Sequence, residues 1–441
     1  MELRQLKYKN VHGHLSGNLS FEQGENFIVG INGCGKTTAL NLVKWMLGPS
    51  LPDLCTLEHD SAELKVKHGK YLYTISSKIK KHKHVLTITT KDPQRGFKPI
   101  TTPLHVNPRA ARKSLLSKDV RDAYFHMSPE PHEVEAWSFL LEDLPSPVFV
   151  GLKRDIEEET LMRHPGGNIL APPSGQPALG KATELMRDAF NTARRQIVAI
   201  HDELNEKVLE LSFRGVLSKR LPSMKGSVES MREKIVELKG FFDEPSTQAH
   251  ISKALSSETV RDSVLKYLGE LEKILSTKSK DSTVLIALNQ HNFSRAEKMF
   301  ELFVQHEDLC RTAQAEIDNF SQAVNSFLGD SNKKIVFDDD TGTPEFAWTT
   351  RSDGVMSLSE LSSGEAQVVI LLSYFAFLAK TGVPIIIDEP ELSLHVKWQA
   401  EFVKAVKTLL PAKCQTVMAT HSPEICGADS VNVQAVSIGV K

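Results

Sequence analysis

The sequence predicts an α/β fold in which a mostly parallel sheet, covered by helices, is interrupted by a helical insertion and joined by an antiparallel β region. Three observations predict it. An apolar run, Phe27-Ile28-Val29, leads through a glycine-rich loop into a helix-like segment, Ala39–Leu47. The last quarter alternates helix and strand patterns from Ala366 to Thr420. Between these regions, apolar residues recur at the three-and-four spacing of helices.

The elements follow in order. Leu3–Tyr8 and Phe27–Gly30 read as strands flanking a turn-rich segment. After the first helix come strand candidates Glu63–Val66, Tyr71–Ser76 and Val85–Thr90, with a turn at His68-Gly69-Lys70. Their polar alternation suits an antiparallel sheet with one wet face. Lys78, Lys80, Lys81 and Lys83, interleaved with His82 and His84, are expected to cap a hairpin as a solvated tip. A phosphate-backbone contact widened by Arg109, Arg112 and Lys113 is the competing reading. Val148–Gly151 reads as a buried strand, followed by a Pro- and Gly-rich loop, Pro165–Gly180.

From Lys181 the pattern turns helical. Phe190, Ala193, Ile197, Ile200, Leu204, Val208 and Leu211 share one helix face. His306, Cys310, Ala313, Ile317, Phe320, Val324 and Phe327 share another. Shorter candidates lie around Ser227–Phe241 and Ser257–Ser276. Helices of about 25–40 residues reach only about 40–60 Å, which describes a short, coiled-coil-like insertion. Strands Lys334–Phe337 and Glu345–Thr349 then flank an acidic turn, Asp338–Thr343, whose spacing lacks a calcium-loop pattern. Helix Ala366–Lys380, strand Val383–Ile387, helix Trp398–Leu409 and strand Gln415–Thr420 complete the pattern. The implied organisation is 1–155, 156–180 as linker, 181–330 as insertion, and 331–441.

Composition excludes some functions and leaves others open. With 441 residues the chain can bury a large core. Its 53 Lys+Arg against 55 Asp+Glu leave a formal charge of -2, so no global basic signature points to nucleic acid. No apolar run reaches membrane-spanning length, and no membrane association is expected. The cysteines Cys34, Cys55, Cys310, Cys414 and Cys426 form no closely spaced pair, and a reducing cytoplasm is the expected location.

The chemistry begins at Gly30-Ile31-Asn32-Gly33-Cys34-Gly35-Lys36-Thr37-Thr38. Glycines let consecutive backbone N–H groups curl around phosphate oxygens, and the following helix aims its N-terminal dipole at them. Lys36 brings a charge to the β/γ-phosphates and the Thr37 hydroxyl is a Mg²⁺ ligand. Asn32, Gly33, Cys34, Gly35 and Thr38 complete the nucleotide-binding loop, with Cys34 read as a small tolerated side chain. Ile385-Ile386-Ile387-Asp388-Glu389 is a buried strand ending in two acids. Asp388 suits Mg²⁺, and alternation aims Glu389 elsewhere, as a general base or water-positioning group. His421 ends the next strand, where it could report the γ-phosphate. In Leu361-Ser362-Ser363-Gly364-Glu365, Ser362 caps a helix with Glu365 at the capping-box position. The Ser362 hydroxyl and Gly364 backbone also make a second anion-binding site.

In order and separation, Gly30–Thr37, Leu361–Glu365, Ile385–Glu389 and Thr420–His421 resemble the Walker A, signature, Walker B and switch-histidine elements of ABC-type ATPases. Asp388-Glu389-Pro390-Glu391-Leu392-Ser393-Leu394-His395 and Ala419-Thr420-His421-Ser422-Pro423 are similar to the branch containing the SMC, RecF and overcoming-lysogenization-defect (OLD) proteins. That resemblance implies ATP and Mg²⁺ as cofactors and a head-to-tail homodimer of heads, or a higher oligomer built from it. Ser362 and Gly364 would then contact the γ-phosphate bound at the other subunit's Lys36 and Glu389. Glu365 stands where many transporters have Gln, and Val396 where Pro is common. Gln94 and Arg154 are candidates for further nucleotide-sensing residues.

Only Ser422–Lys441 follow the switch histidine, so no TOPRIM nuclease domain of the OLD type is expected. The size and layout resemble the ATPases of Septu and PARIS anti-phage systems. The implied function is a slow ATPase that senses a phage-encoded trigger and controls a separate nuclease or toxin-like effector. A RecF-like DNA-binding ATPase and an ATP-binding scaffold with little turnover are the alternatives.

Overall fold

The computed structural model describes residues 1–105, 108, 123–124, 127–151, 178–213, 233, 235–237, 239–240, 265–270, 272–273, 280–350, 354–427 and 432–436. Most of the linker, Arg109, Arg112, Lys113, Arg154 and most of both shorter helix candidates lie outside the described residues.

The chain opens with strands β1 (Glu2–Val11), β2 (Leu15–Ser20) and β3 (Glu25–Val29). Helices α1 (Lys36–Leu47) and α2 (Leu51–Thr56) precede β4 (Ser61–His68), β5 (Tyr71–Lys80), β6 (Lys83–Thr90) and β7 (Ile100–Pro103). Helix α3 (Val134–Ser138) and strand β8 (Val148–Val150) follow, then the long helices α4 (Ala178–Phe213) and α5 (Lys280–Leu328). The remaining elements are β9 (Lys333–Phe337), β10 (Pro344–Trp348), β11 (Val355–Ser357), α6 (Ser363–Phe377), β12 (Ile385–Asp388), α7 (Val396–Leu409), β13 (Thr416–Thr420), α8 (Pro423–Cys426) and β14 (Val433–Ala435).

Two compact units are present: Met1–Arg187 with Asn319–Lys441, and Asp188–Asp318. The first contains a six-stranded antiparallel sheet in the order β2-β1-β4-β5-β6-β7, a three-stranded sheet β11-β10-β9, and a five-stranded sheet β14-β3-β13-β12-β8. Every pairing in the five-stranded sheet is parallel. The apolar run Ile385-Ile386-Ile387 is explained by burial on both faces of this sheet. Ile386, Val417, Ala419, Ile28 and Phe149 pack with the core of α1 and the antiparallel sheet. Their neighbours Ile385, Ile387, Met418, Phe27 and Val150 pack into a second core with α6 and α7. Period-two alternation thus serves two cores from one set of strands. Helix α6 is buried without interruption from Val368 to Ala376, as expected of a helix apolar on all sides. Gln415, buried just before β13, accepts from Leu3 N at 2.7 Å and donates to Leu3 O at 3.0 Å, joining the parallel sheet to β1.

Two expectations change. His84 is not part of the hairpin tip: it is fully buried and bonds the Ser77 hydroxyl at 2.8 Å, while Lys78, Lys80, Lys81 and Lys83 are exposed. Strand alternation explains this, because His84 shares the inward face with Leu86 and Ile88. Helix α4 has 36 residues, but α5 has 49, beyond the expected range. At 1.5 Å per residue, α5 extends about 73 Å. Its apolar stripe was legible only over the later half.

Candidate functional site

The three central strands of the parallel sheet end together. Register pairs Thr420 with Val29 and Asp388 with Ala419. The loops carrying Lys36, His421 and Glu389 therefore all leave the carboxyl edge of adjacent strands, where ligands of α/β sheets gather.

The loop after β3 is built for close backbone approach. Gly33 and Gly35 have φ of 80° and 101°, in the left-handed region that glycine adopts without a Cβ clash. A Cβ at Gly30 would collide with the Cys34 sulfur and stand 2.7 Å from Val436 O. Cys34 is accordingly a buried side chain packed beneath the loop, while Asn32 and Gly33 are exposed. Lys36 is buried, and its Nζ donates to Gly30 O at 2.8 Å and Ile31 O at 3.4 Å. Helix α1 starts at Lys36 with no side-chain cap, so its first N–H groups face the loop without a side-chain acceptor. Thr37 and Thr38, in its first turn, are half-buried.

Asp388 is the last residue of β12 and only 1 % exposed. Glu389 does not continue the strand alternation. Its φ is 52°, and its N–H donates to Ala419 O at 2.8 Å. A left-handed non-glycine residue carries backbone strain and turns its side chain out of the strand register. The alternation expected to separate the two carboxylates therefore ends at Asp388, and Glu389 belongs to the turn.

Beyond Glu389 the turn holds a residue with no role in the sequence reading. Glu391 is buried; its Oε1 accepts from the His421 backbone N–H at 2.8 Å and lies 2.9 Å from His421 Nδ1. His421, about half-exposed, is thereby oriented through main chain and ring together. Gln399 provides a second link: it donates to Leu394 O at 2.9 Å and accepts from the Ser422 hydroxyl at 2.7 Å. Adjacent acids in a turn look alike in sequence, and only the folded contact with His421 distinguishes Glu391.

The signature segment forms a complete capping box. Ser362 Oγ accepts from Glu365 N at 3.4 Å, and Glu365 Oε2 accepts from Ser362 N at 2.8 Å. Glu365 also takes Lys333 Nζ at 2.9 Å and the Ser331 hydroxyl at 2.5 Å. Burial would raise its carboxyl, but bonds from Ser331, Lys333 and Ser362 outweigh that and bring it to about 2. Lys333 in turn lies over the rings of Phe346 and Trp348 at 5.1 and 5.0 Å. Gly364 faces the post-β12 turn: a Cβ there would stand 3.0 Å from Ser393 O. Gln94 is exposed in a turn, its N–H donating to Asp92 Oδ1 at 3.0 Å.

Residues 193–426 match the AAA ATPase domain family, and residues 5–119 match a second AAA domain family. The chain belongs to the AAA ATPase family. Septu protein PtuA of Bacillus thuringiensis is 39% identical to this AAA ATPase over 56 residues, a match spanning 13% of this chain and 14% of that protein. The Smc head domain of Pyrococcus furiosus, with an extended coiled coil and bound to the C-terminal domain of ScpA, aligns over 99% of this chain and 94% of that one. The identity there is 14% and the TM-score 0.38. Among the described residues, no helix is long and apolar enough to cross a membrane.

Proposed function

We propose that this AAA ATPase is the ATP-hydrolysing subunit of a bacterial anti-phage defence complex, of the ABC-like branch, which controls a separate effector through ATP-dependent pairing of two heads. The observation that carries the reading is the convergence of Lys36, Asp388, Glu389 and His421 at neighbouring strand ends. The glycine-framed loop fits a polyphosphate and the buried Asp388 carboxylate fits a hard cation. ATP supplies the cleavable phosphoanhydride, and Mg²⁺ the charge that offsets its oxygens. Lys36 and the first N–H groups of α1 would hold the phosphates, with Asn32, Gly33, Cys34, Gly35 and Thr38 lining the same loop. Thr37 and Asp388 would hold Mg²⁺. Glu389 positions the attacking water and accepts its proton. His421, oriented by Glu391, stands beside it.

In this reading Ser362 and Gly364 complete the site of a second copy. Their own hydrogen bonds and packing run to Glu365 and the Ser393 turn, while Lys36 bonds within its own loop. Ile31 and Leu392, on the loops after β3 and β12, and Val396, the first residue of α7, are large apolar side chains left 75, 43 and 57 % exposed. The short match to Septu protein PtuA supports the defence context; the nuclease or toxin-like effector and the phage-encoded trigger belong to the proposal itself.

The test is the Glu389→Gln variant of the full chain, measured for turnover and for mass in solution with ATP and Mg²⁺. The expected result is loss of turnover by about 100-fold or more with accumulation of an ATP-dependent dimer. Unchanged turnover would remove Glu389 from its role. Purification of the native complex then tests the context. A stoichiometric effector supports defence. ATP-dependent, salt-sensitive DNA binding lost on reversing Lys80 and Lys81 would replace it with the RecF-like reading.

A further inference from the structure

The unit Asp188–Asp318 carries a cluster unrelated to nucleotide chemistry. His201 lies on α4, and His306 and Cys310 lie one turn apart on α5. The rings of His201 and His306 stack with centroids 5.0 Å apart. Cys310 Sγ lies 3.6 Å from His306 Nε2, and one ligand atom from each of the three residues lies within 4.8 Å of the others. Cys310 and His306 are buried and His201 half-buried.

The surroundings make this placement unusual. Leu204 and Phe303 form the adjoining apolar cluster, with Val208 and Met299 packed against it. His201 pairs with His306 in the same antiparallel register that pairs Leu204 with Phe303. The seam between the helices therefore changes from aliphatic and aromatic side chains to two imidazoles and a thiol within one turn. Two imidazoles with one sulfur are borderline-soft donors suited to Zn²⁺, and poorly suited to Mg²⁺ or Ca²⁺. In a tetrahedral site with Zn–N near 2.0–2.1 Å and Zn–S near 2.3 Å, the N···S edge is about 3.6 Å, which matches the Cys310–His306 separation.

We propose that His201, His306 and Cys310 form a divalent transition-metal site of the Zn²⁺ class that clasps α4 to α5. Three protein ligands leave a fourth position for solvent. Binding releases the Cys310 proton and joins residues 105 positions apart in sequence, fixing the register of the two helices. The site is independent of the nucleotide reading, because none of its residues takes part in that chemistry.

The experiment uses the tag-free full chain, stripped of metal and kept reduced, with Zn²⁺ and Co²⁺ as probes. Elemental analysis after Zn²⁺ addition and dialysis is expected to give about one equivalent per chain. Co²⁺ is expected to produce a thiolate-to-cobalt charge-transfer band that Zn²⁺ bleaches. Cys310→Ala should remove the band, and His201→Gln should weaken Zn²⁺ binding by at least about tenfold, the scale of lost metal-site interactions. Circular dichroism of the metal-free variants checks their fold, and half-buried His201 carries the test where Cys310→Ala does not fold. No bound Zn²⁺ and no band in the folded wild-type chain would overturn the proposal and leave a hydrogen-bonded Cys–His pair in a register-setting layer. Full stoichiometry in both variants would overturn it equally.

Discussion

Replacing Lys333 by methionine isolates what the buried ion pair beneath the signature turn contributes. Glu365 is 3 % exposed and its carboxyl stands at about 2 against an ordinary 4.5, with burial opposing and the bonds from Ser331, Lys333 and Ser362 prevailing. A depression of that size corresponds to roughly 3 kcal/mol at neutral pH. Three donors share it, so loss of Lys333 removes only part. The carboxylate left behind is buried without a cation, and truncating one member of a buried pair costs about 3–5 kcal/mol. Weighing a shared contribution against that penalty, Lys333→Met should lose about 2–4 kcal/mol in urea unfolding followed by tryptophan fluorescence. The double variant Lys333→Met, Glu365→Gln should recover part of the loss, because it leaves no unpaired charge. The pH dependence has a definite sign. A depressed carboxyl stabilises fully above its unfolded value and loses that contribution as pH falls from 4.5 toward about 2. The stability gap between wild type and Glu365→Gln should narrow across that window. A Lys333→Met variant within about 0.5 kcal/mol of wild type at neutral pH would refute the reasoning, since surface substitutions lie in that range.

Three further outcomes are expected. Gly30→Ala places a Cβ against the Cys34 sulfur and Val436 O, so it should abolish nucleotide binding or lower the melting temperature, while Gly96→Ala, with open space around it, should do neither. Glu391→Ala frees both the His421 ring and its N–H, and should lower kcat by about 10- to 100-fold with little change in KM. Glu391→Gln, which still accepts from the His421 N–H, should lose less; equal losses would count against a positioning role. In the buried His59–Ser77–His84 chain, His59 Nδ1–H donates to Leu57 O and the Ser77 hydroxyl donates to His59 Nε2. His84 Nε2–H then donates to Ser77, and its Nδ1 has no partner among the described residues. Burial first, and then His59, push His84 down to about 3. The His84 contribution to stability should fall as pH drops from 6.5 toward that value, by about 1.4 kcal/mol per unit at most, and His84→Gln should flatten the overall slope by that share.

The parallel sheet was legible because its signals are local. Ile385-Ile386-Ile387 and Phe27-Ile28-Val29 are apolar on both faces, and glycines mark the loop between β3 and α1. The capping box at Ser362–Glu365 was legible for the same reason. Strands β2, β7 and β14 were not, since their short polar sequences pair only through neighbours supplied by the rest of the chain. Glu389 shows a subtler failure: its separation from Asp388 was expected from strand alternation, whereas the strand ends at Asp388 and Glu389 sits in a left-handed turn. Contacts between distant residues escaped entirely. Lys333 meets Glu365 and His201 meets His306 only after folding, and neither spacing resembles a motif.

The turn after β12 is where these contacts acquire a common consequence. Glu391 grips His421 at the end of β13, and Gln399 ties Leu394 to Ser422 one residue further on. On its other side, the turn's Ser393 carbonyl closely approaches Gly364 in the first turn of α6. His421 is therefore linked through side-chain hydrogen bonds to the segment that abuts Gly364. Packed contacts of this kind shift between discrete arrangements and do not stretch. In a pair of heads, one turn would then couple the histidine of one nucleotide site to the signature residues serving the other. That arrangement gives a physical reason for two polar links, the buried Glu391 and the half-buried Gln399, where an apolar turn would serve stability alone.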